Sequence, residues 1–210
     1  MSSEPTVGLF VPLPAKEGKK DDLKNFLLKG RELIDNEPLT LQWYALEYTG
    51  DAYASAPTFA IFDTFAAMEG LTAHKEGAVA AALGQNASSL LSGGPNIQVA
   101  EILASLVRKG EGKVGLRVLA TAKADKVSEV EKFLKGAVPL VEAEPLTVQW
   151  FTFKLAGTNT FGIIDFFEGD EGRNAHLKGK VAEALFAKAD EFFESTPEVV
   201  LVNVVASRVL

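Results

Sequence analysis

Glu37-Pro38-Leu39-Thr40-Leu41-Gln42-Trp43 returns 107 positions later as Glu144-Pro145-Leu146-Thr147-Val148-Gln149-Trp150. The likeness spreads outward in both directions. Val7–Thr49 laid on Val114–Ala156 agrees at 16 of 43 positions without a gap. Thr58–Val107 laid on Thr160–Val209, now offset by 102, agrees at 19 of 50, and Ala73-His74 falls on Ala175-His176. Agreement over nearly the whole chain marks a tandem duplication of a unit of about a hundred residues. The units are expected at 1–108 and 114–210, with Lys109-Gly110-Glu111-Gly112-Lys113 as linker.

Each copy reads strand, helix, strand, strand, helix, strand. Val7–Leu13 and Val114–Ala120 are apolar and β-branched. In the second copy Val130, Phe133, Leu134, Ala137, Leu140 and Val141 fall on one helical stripe, and Pro139 should bend or shorten that helix. The first copy keeps Leu23, Phe26, Leu27, Leu33 and Ile34, with Gly30 at the middle contact. Pro38 and Pro145 disfavour helix in the residue before them, so each helix should end there. Thr40–Tyr48 then alternates: Gln42, Tyr44, Leu46 and Tyr48 face one way, Leu41, Trp43, Ala45 and Glu47 the other. Phe59–Phe65 and Phe161–Phe167 are the third strands. Helical stretches over about Ala67–Leu91 and Glu171–Glu194 follow, and Ile97–Val107 and Val199–Val209 close the copies. The pattern predicts an α+β fold of two ferredoxin-like βαββαβ units. Because the strands are apolar on both faces, the sheets should pack on each other as an intramolecular barrel with helices outside.

Composition bounds the partners. The 210 residues carry 21 basic and 28 acidic side chains, net −7, and 47% are apolar. Lys19-Lys20 is cancelled at once by Asp21-Asp22, and no basic stripe suits nucleic acid or an anionic membrane. The absence of cysteine removes disulfides, thiolate metal sites and thiol nucleophiles. Met1–Pro5 lacks the layout of a signal peptide, and no apolar run reaches the roughly 20 residues of a membrane helix. A cytoplasmic protein with a small-molecule ligand is expected. An internal partner leaves open whether the chain is monomeric or dimerises further.

Chemistry-bearing residues are few. The only two histidines, His74 and His176, occupy equivalent positions. Each is either an acid/base or ligand-binding imidazole or a helix-start histidine bonding backbone. On an uninterrupted helix His176 would lie beside Lys180 and Glu183, partly exposed, unless Gly179 breaks the helix. Asp63 and Asp165 share strand faces with Phe59, Ile61 and Phe65 or with Phe161, Ile163 and Phe167. A carboxylate there must be paired or hydrogen-bonded. Each could anchor a nearby helix N-terminus or act as a proton acceptor, and Asp63 could contact His74, since strand end and helix start adjoin. Gln42, Trp43, Gln149 and Trp150 lie in the strongest identity: the indoles could be core or pocket wall, the glutamines could meet ligand. Tyr44 has Phe151 as its counterpart, so a phenolic role would belong to one unit alone. No phosphate loop, dinucleotide fingerprint, zinc helix or nucleophile elbow is present.

Glu-Pro before the second strand, an acidic residue two positions before the aromatic ending the third, and Ala-His with its histidine nine positions after that aromatic resemble the antibiotic-biosynthesis monooxygenase-like domain of the dimeric α/β-barrel superfamily. The resemblance spans both units and implies a fused pseudo-dimer of a domain that commonly pairs as a homodimer. It implies a cofactor-independent monooxygenase acting on a small aromatic or polyketide-like substrate. In that reading Asp63, His74, Asp165 and His176 are catalytic, and Gln42, Trp43, Tyr44, Gln149 and Trp150 bind substrate. Haem-degrading members place their haem-ligating histidine where His74 and His176 stand. They also use a first-strand Asn and often a Trp before the helix; neither first strand here has Asn, and Phe65 and Phe167 replace the Trp. No cofactor is therefore expected. The alternative is a non-catalytic, ligand-binding or stress-associated barrel, and haem binding through His74 or His176 is a third, weaker option.

Overall fold

Each copy of the repeat forms the elements that its apolar spacing dictates. The computed structural model describes residues 4–210; Met1–Ser3 of the polar start lie outside the described residues. The first copy runs β1 (Val7–Pro14), α1 (Lys20–Ile34), β2 (Thr40–Tyr48), β3 (Thr58–Phe65), α2 (Met68–Lys75), α3 (Ala78–Leu90) and β4 (Gln98–Val107). The second runs β5 (Val114–Thr121), α4 (Val127–Lys135), α5 (Val138–Glu142), β6 (Thr147–Leu155), β7 (Thr160–Phe167), α6 (Asp170–Leu177), α7 (Lys180–Ala187), α8 (Ala189–Phe192) and β8 (Glu198–Val209). Pro139 sits in the first turn of α5, where its missing N–H leaves no bond unmade, and the helix predicted as one piece is split there.

In both copies the third strand lies between the first and second, antiparallel to each, with a register shift at the same place: Thr40/Gln42 and Thr147/Gln149. All eight strands join in the order β1-β3-β2-β8-β5-β7-β6-β4, which closes into a barrel. The fold is thus the ferredoxin-like pair expected from the repeat, held in one chain. Among the described residues no helix is long and apolar enough to cross a membrane.

Compactness divides the chain differently from the repeat. Unit 1 comprises the residues up to Ala100 together with Asn203–Leu210, and unit 2 comprises Glu101–Val202. The end of β8 therefore belongs with the first copy's elements: Leu210 N donates to Leu41 O (3.0 Å), Arg208 Nη1 to Thr40 O (2.8 Å), and Arg31 Nε to Ser207 O (2.7 Å). Most of β4 belongs reciprocally with the second copy's. Arg108 N donates to Val148 O (2.9 Å), and its guanidinium caps the carbonyls of Glu142, Glu144 and Thr147 at 2.7–2.9 Å.

The core of unit 1 lies where the sheet meets the helices. Val7, Leu9, Val11 and Leu13 of β1, Trp43 and Ala45 of β2, and Phe59, Ile61 and Phe65 of β3 pack against Leu23, Leu27, Ile34, Leu71, Val79, Leu83 and Leu90. Gly30 of α1 lets the Trp43 ring approach, since a Cβ there would sit 3.4 Å from it. Unit 2 repeats this with Trp150, Phe161, Ile163, Val130, Leu134, Val181 and Leu185. Phe10, Tyr44 and Phe62 on the alternate faces are fully buried as well, as the doubly apolar strands require.

Candidate active site

The register that pairs Trp43 with Asp63 puts both side chains on the helix-covered face. There the chain builds a buried triplet. His74 Nδ1 meets Glu37 Oε2 at 2.5 Å, and its Nε2 stands 3.2 Å from Asp63 Oδ2. Unit 2 repeats it: His176 Nδ1 lies 2.5 Å from Glu144 Oε2 and Nε2 lies 3.1 Å from Asp165 Oδ2. Both Nε2 contacts are ion-pair distances that lack the alignment of a hydrogen bond. The aspartates are fully buried and each histidine is 6% exposed.

Three local features make this possible. Gly77 and Gly179 interrupt the helical stretches, so α2 and α6 stop just after the histidines and turn the imidazoles inward. Gly179 is thus the break that the sequence left open, and His176 is buried rather than partly exposed. The same glycines leave room for the glutamates, because a Cβ on Gly77 would overlap the Glu37 carboxylate and one on Gly179 that of Glu144. Finally, Glu37 Oε1 accepts from Val79 N (3.3 Å) in the first turn of α3, so one carboxylate ties imidazole to helix start. Gly77→Ala and Gly179→Ala should each lower stability by about 1–3 kcal/mol in urea melts, because the glutamate held there cannot swing aside. An unchanged midpoint would show that it can.

The electrostatics differ between units. Burial pushes the Asp63 carboxyl up to about 7, against the opposing pull of His74 and of the Leu9 N–H, which donates to Oδ1 at 3.2 Å. Burial also disfavours the imidazolium forms, but the flanking carboxylates outweigh it. His74 is raised, chiefly by its bond to Glu37 and by Asp63, and His176 is raised to about 10 by Asp165 and Glu144. His176 is a cation at neutral pH.

The space beside the triplet also differs. In unit 1 Asp63 and His74 line a cavity of about 110 Å³ with Leu9, Val11, Ile61 and Val79, whose mouth includes Lys75 and Gly84. The corresponding cavity beside Asp165 and His176 holds about 20 Å³.

The predicted substrate-binding residues are not brought to this cavity. Gln42 and Tyr44 face away from the helices, where Gln42 Oε1 accepts from the Thr64 hydroxyl. Gln149 points the same way and donates to the carbonyls of Arg108 and Gly110 at 3.2 Å each, pinning the linker. Trp43 and Trp150 are core on the helix face; among the described residues their buried indole N–H groups have no hydrogen-bond partner. The alternation already placed Gln42 opposite Trp43, so strand pairing explains the separation. Glu37 and Glu144 escaped notice, although both open the most strongly repeated heptapeptide.

Haem does not fit here. Both nitrogens of each imidazole face carboxylates, and about 110 Å³ is too little for a macrocycle. Among the described residues no group of three or more potential ligands is arranged for a metal ion.

No family model matches the chain, and no curated protein matches it by sequence. Solved structures do match. A Fusobacterium nucleatum protein, provisionally assigned as a monooxygenase, superimposes with a TM-score of 0.84 at 11% identity, covering 97% of this chain and 94% of that one. A ferredoxin-fold protein related to antibiotic biosynthesis monooxygenases, from Listeria monocytogenes, gives 0.56 at 10% identity and 96% of each chain. A protein of unknown function from Nitrosomonas europaea is 39% identical over 51% of this chain and 99% of its own, with a TM-score of 0.46. Along its whole length the chain has the fold of the antibiotic-biosynthesis-monooxygenase-like ferredoxin proteins, with the two units of the α/β barrel carried in one polypeptide.

Proposed function

We propose that unit 1 is a cofactor-independent monooxygenase for a single-ring, electron-rich aromatic substrate, with Asp63 as the proton acceptor. The observation that carries this reading is a buried carboxyl, pushed up to about 7, lining an apolar cavity. A base of that strength is matched to working near neutral pH. The volume allows no more than one ring, since the apolar cavity that holds benzene is about 150 Å³ and this one, open at its mouth, is about 110 Å³; a polycyclic polyketide is too large. Proton transfer from an acidic C–H or O–H to Asp63 leaves a carbanion or phenolate. Its electron pair reduces O₂ in one-electron steps, forming a carbon-bound peroxide that takes the proton back from Asp63. Loss of water from the hydroperoxide leaves a carbonyl, with one oxygen atom in the product and one in water. His74, held by Glu37 and favoured in its protonated form by both carboxylates, faces the same carboxyl and in that form favours the anionic states.

The test is oxygen uptake with hydroquinone and resorcinol, without added cofactor and with a chelator present. Uptake above the protein-free rate, rising with pH through about 7, is expected from the Asp63 carboxyl. No uptake above that rate across the panel sinks the enzyme reading. Binding without turnover is the second reading. Unit 2 favours it, because there the same triplet persists beside a cavity of only about 20 Å³ and its role is to hold structure.

A further inference from the structure

Two copies of one buried triplet sit beside very different volumes, about 110 Å³ and about 20 Å³. The cavity-lining Leu9 corresponds along the offset of 107 to Leu116, and Ile61, Val79 and Leu83 correspond along the offset of 102 to Ile163, Val181 and Leu185, all of which line the smaller cavity of unit 2. The apolar wall and the triplet are therefore shared. What changes is the mouth. Gly84 becomes Phe186, and Lys75 becomes Leu177. A Cβ on Gly84 would meet nothing within 4 Å, so that side of the unit 1 cavity is open space. Phe186 occupies the equivalent helix position, lines the unit 2 cavity, and is still 43% exposed. Phe186 therefore stands at the unit 2 cavity where Gly84 leaves open space in unit 1. The about 20 Å³ that remains holds one water at most.

We infer that unit 2 carries a complete second copy of the binding site, plugged by Phe186, and that Gly84 is the residue that leaves the unit 1 copy open to a single aromatic ring bearing a weakly acidic hydroxyl. The ligand class rests on the reading of unit 1 given above; the plug does not. Gly84 and Phe186 are thus the residues that decide which unit binds.

The experiment counts 4-fluorophenol sites by ¹⁹F NMR titration of the full chain, with benzene as a hydroxyl-free comparison. Gly84→Phe should lose one site relative to the unaltered protein, and Phe186→Ala should gain one. Phe186→Ala keeps a good helix former in α7, and Phe186→Gly, which reproduces the unit 1 residue, serves as a second opening variant; far-ultraviolet circular dichroism checks that each is folded. The exchange variant Gly84→Phe/Phe186→Gly should keep the count unchanged but move the ligand-shifted imidazole resonances from His74 to His176. A folded Phe186→Ala or Phe186→Gly protein with no additional site, or an unaltered protein already binding in both units, overturns the plug. Binding without oxygen uptake would sink the proposed reaction and leave the plug standing.

Discussion

Asp63→Asn is expected to reduce oxygen uptake by about 10²–10⁴-fold, the usual contribution of a general base, and at the same time to stabilise the fold above pH 7. The carboxyl is raised from 3.8 to about 7 because burial penalises its charge more than His74 and the Leu9 N–H favour it. A raised pKa means that the stability contributed by protonated Asp63 is complete below 3.8 and is lost as pH rises through 7. Above that point the native state holds a buried anion that the unfolded chain would hydrate freely. Asparagine keeps the shape and accepts the Leu9 N–H without the charge. Urea melts at pH 5 and pH 8 are the check: the advantage of the variant should grow between them. An equal difference at both values would mean that Asp63 does not titrate in this window, and the proton-acceptor role would fall with it.

His176→Ala should cost about 3–5 kcal/mol, the typical loss when one partner of a buried ion pair is removed. Glu144 and Asp165 would then face each other across the vacated imidazole with no cation between them. The pH dependence is diagnostic. His176 is raised from 6.5 to about 10, so the stability gained by its protonation is full below 6.5 and lost as pH climbs through 10. The unaltered protein should therefore weaken across that alkaline interval, and His176→Gln should lose this part of the slope. An identical slope in the variant would show that the imidazole is not the cation the geometry makes it.

The repeat made the fold legible, because a doubled pattern of periods near 2 and 3.6 leaves little choice of elements. The Asp63–His74 contact was legible too, from the adjacency of strand end and helix start. The burial of the histidines was legible only as a condition, because a helical wheel cannot decide whether a glycine interrupts it, and Gly77 and Gly179 do. Glu37 and Glu144 looked like residues of a helix exit before proline. Only in three dimensions do they reach the imidazole 37 and 32 positions away. Gln42 and Tyr44 were on the wrong side for the cavity, and the alternation with Trp43 carried that information. The cavity itself was hidden, since Gly84 opposite Phe186 is one mismatch among many until volume gives it meaning.

The exchange of strand ends between the copies carries a consequence for how such a protein can change over time. Identical subunits must alter both of their active centres with every mutation, so blocking one blocks the other. Writing the pair as a single gene frees each centre to drift alone, and one can fall silent while still lending the edge that completes its sibling. The same interlacing means that cutting the gene in two should yield fragments that each lack a closing strand.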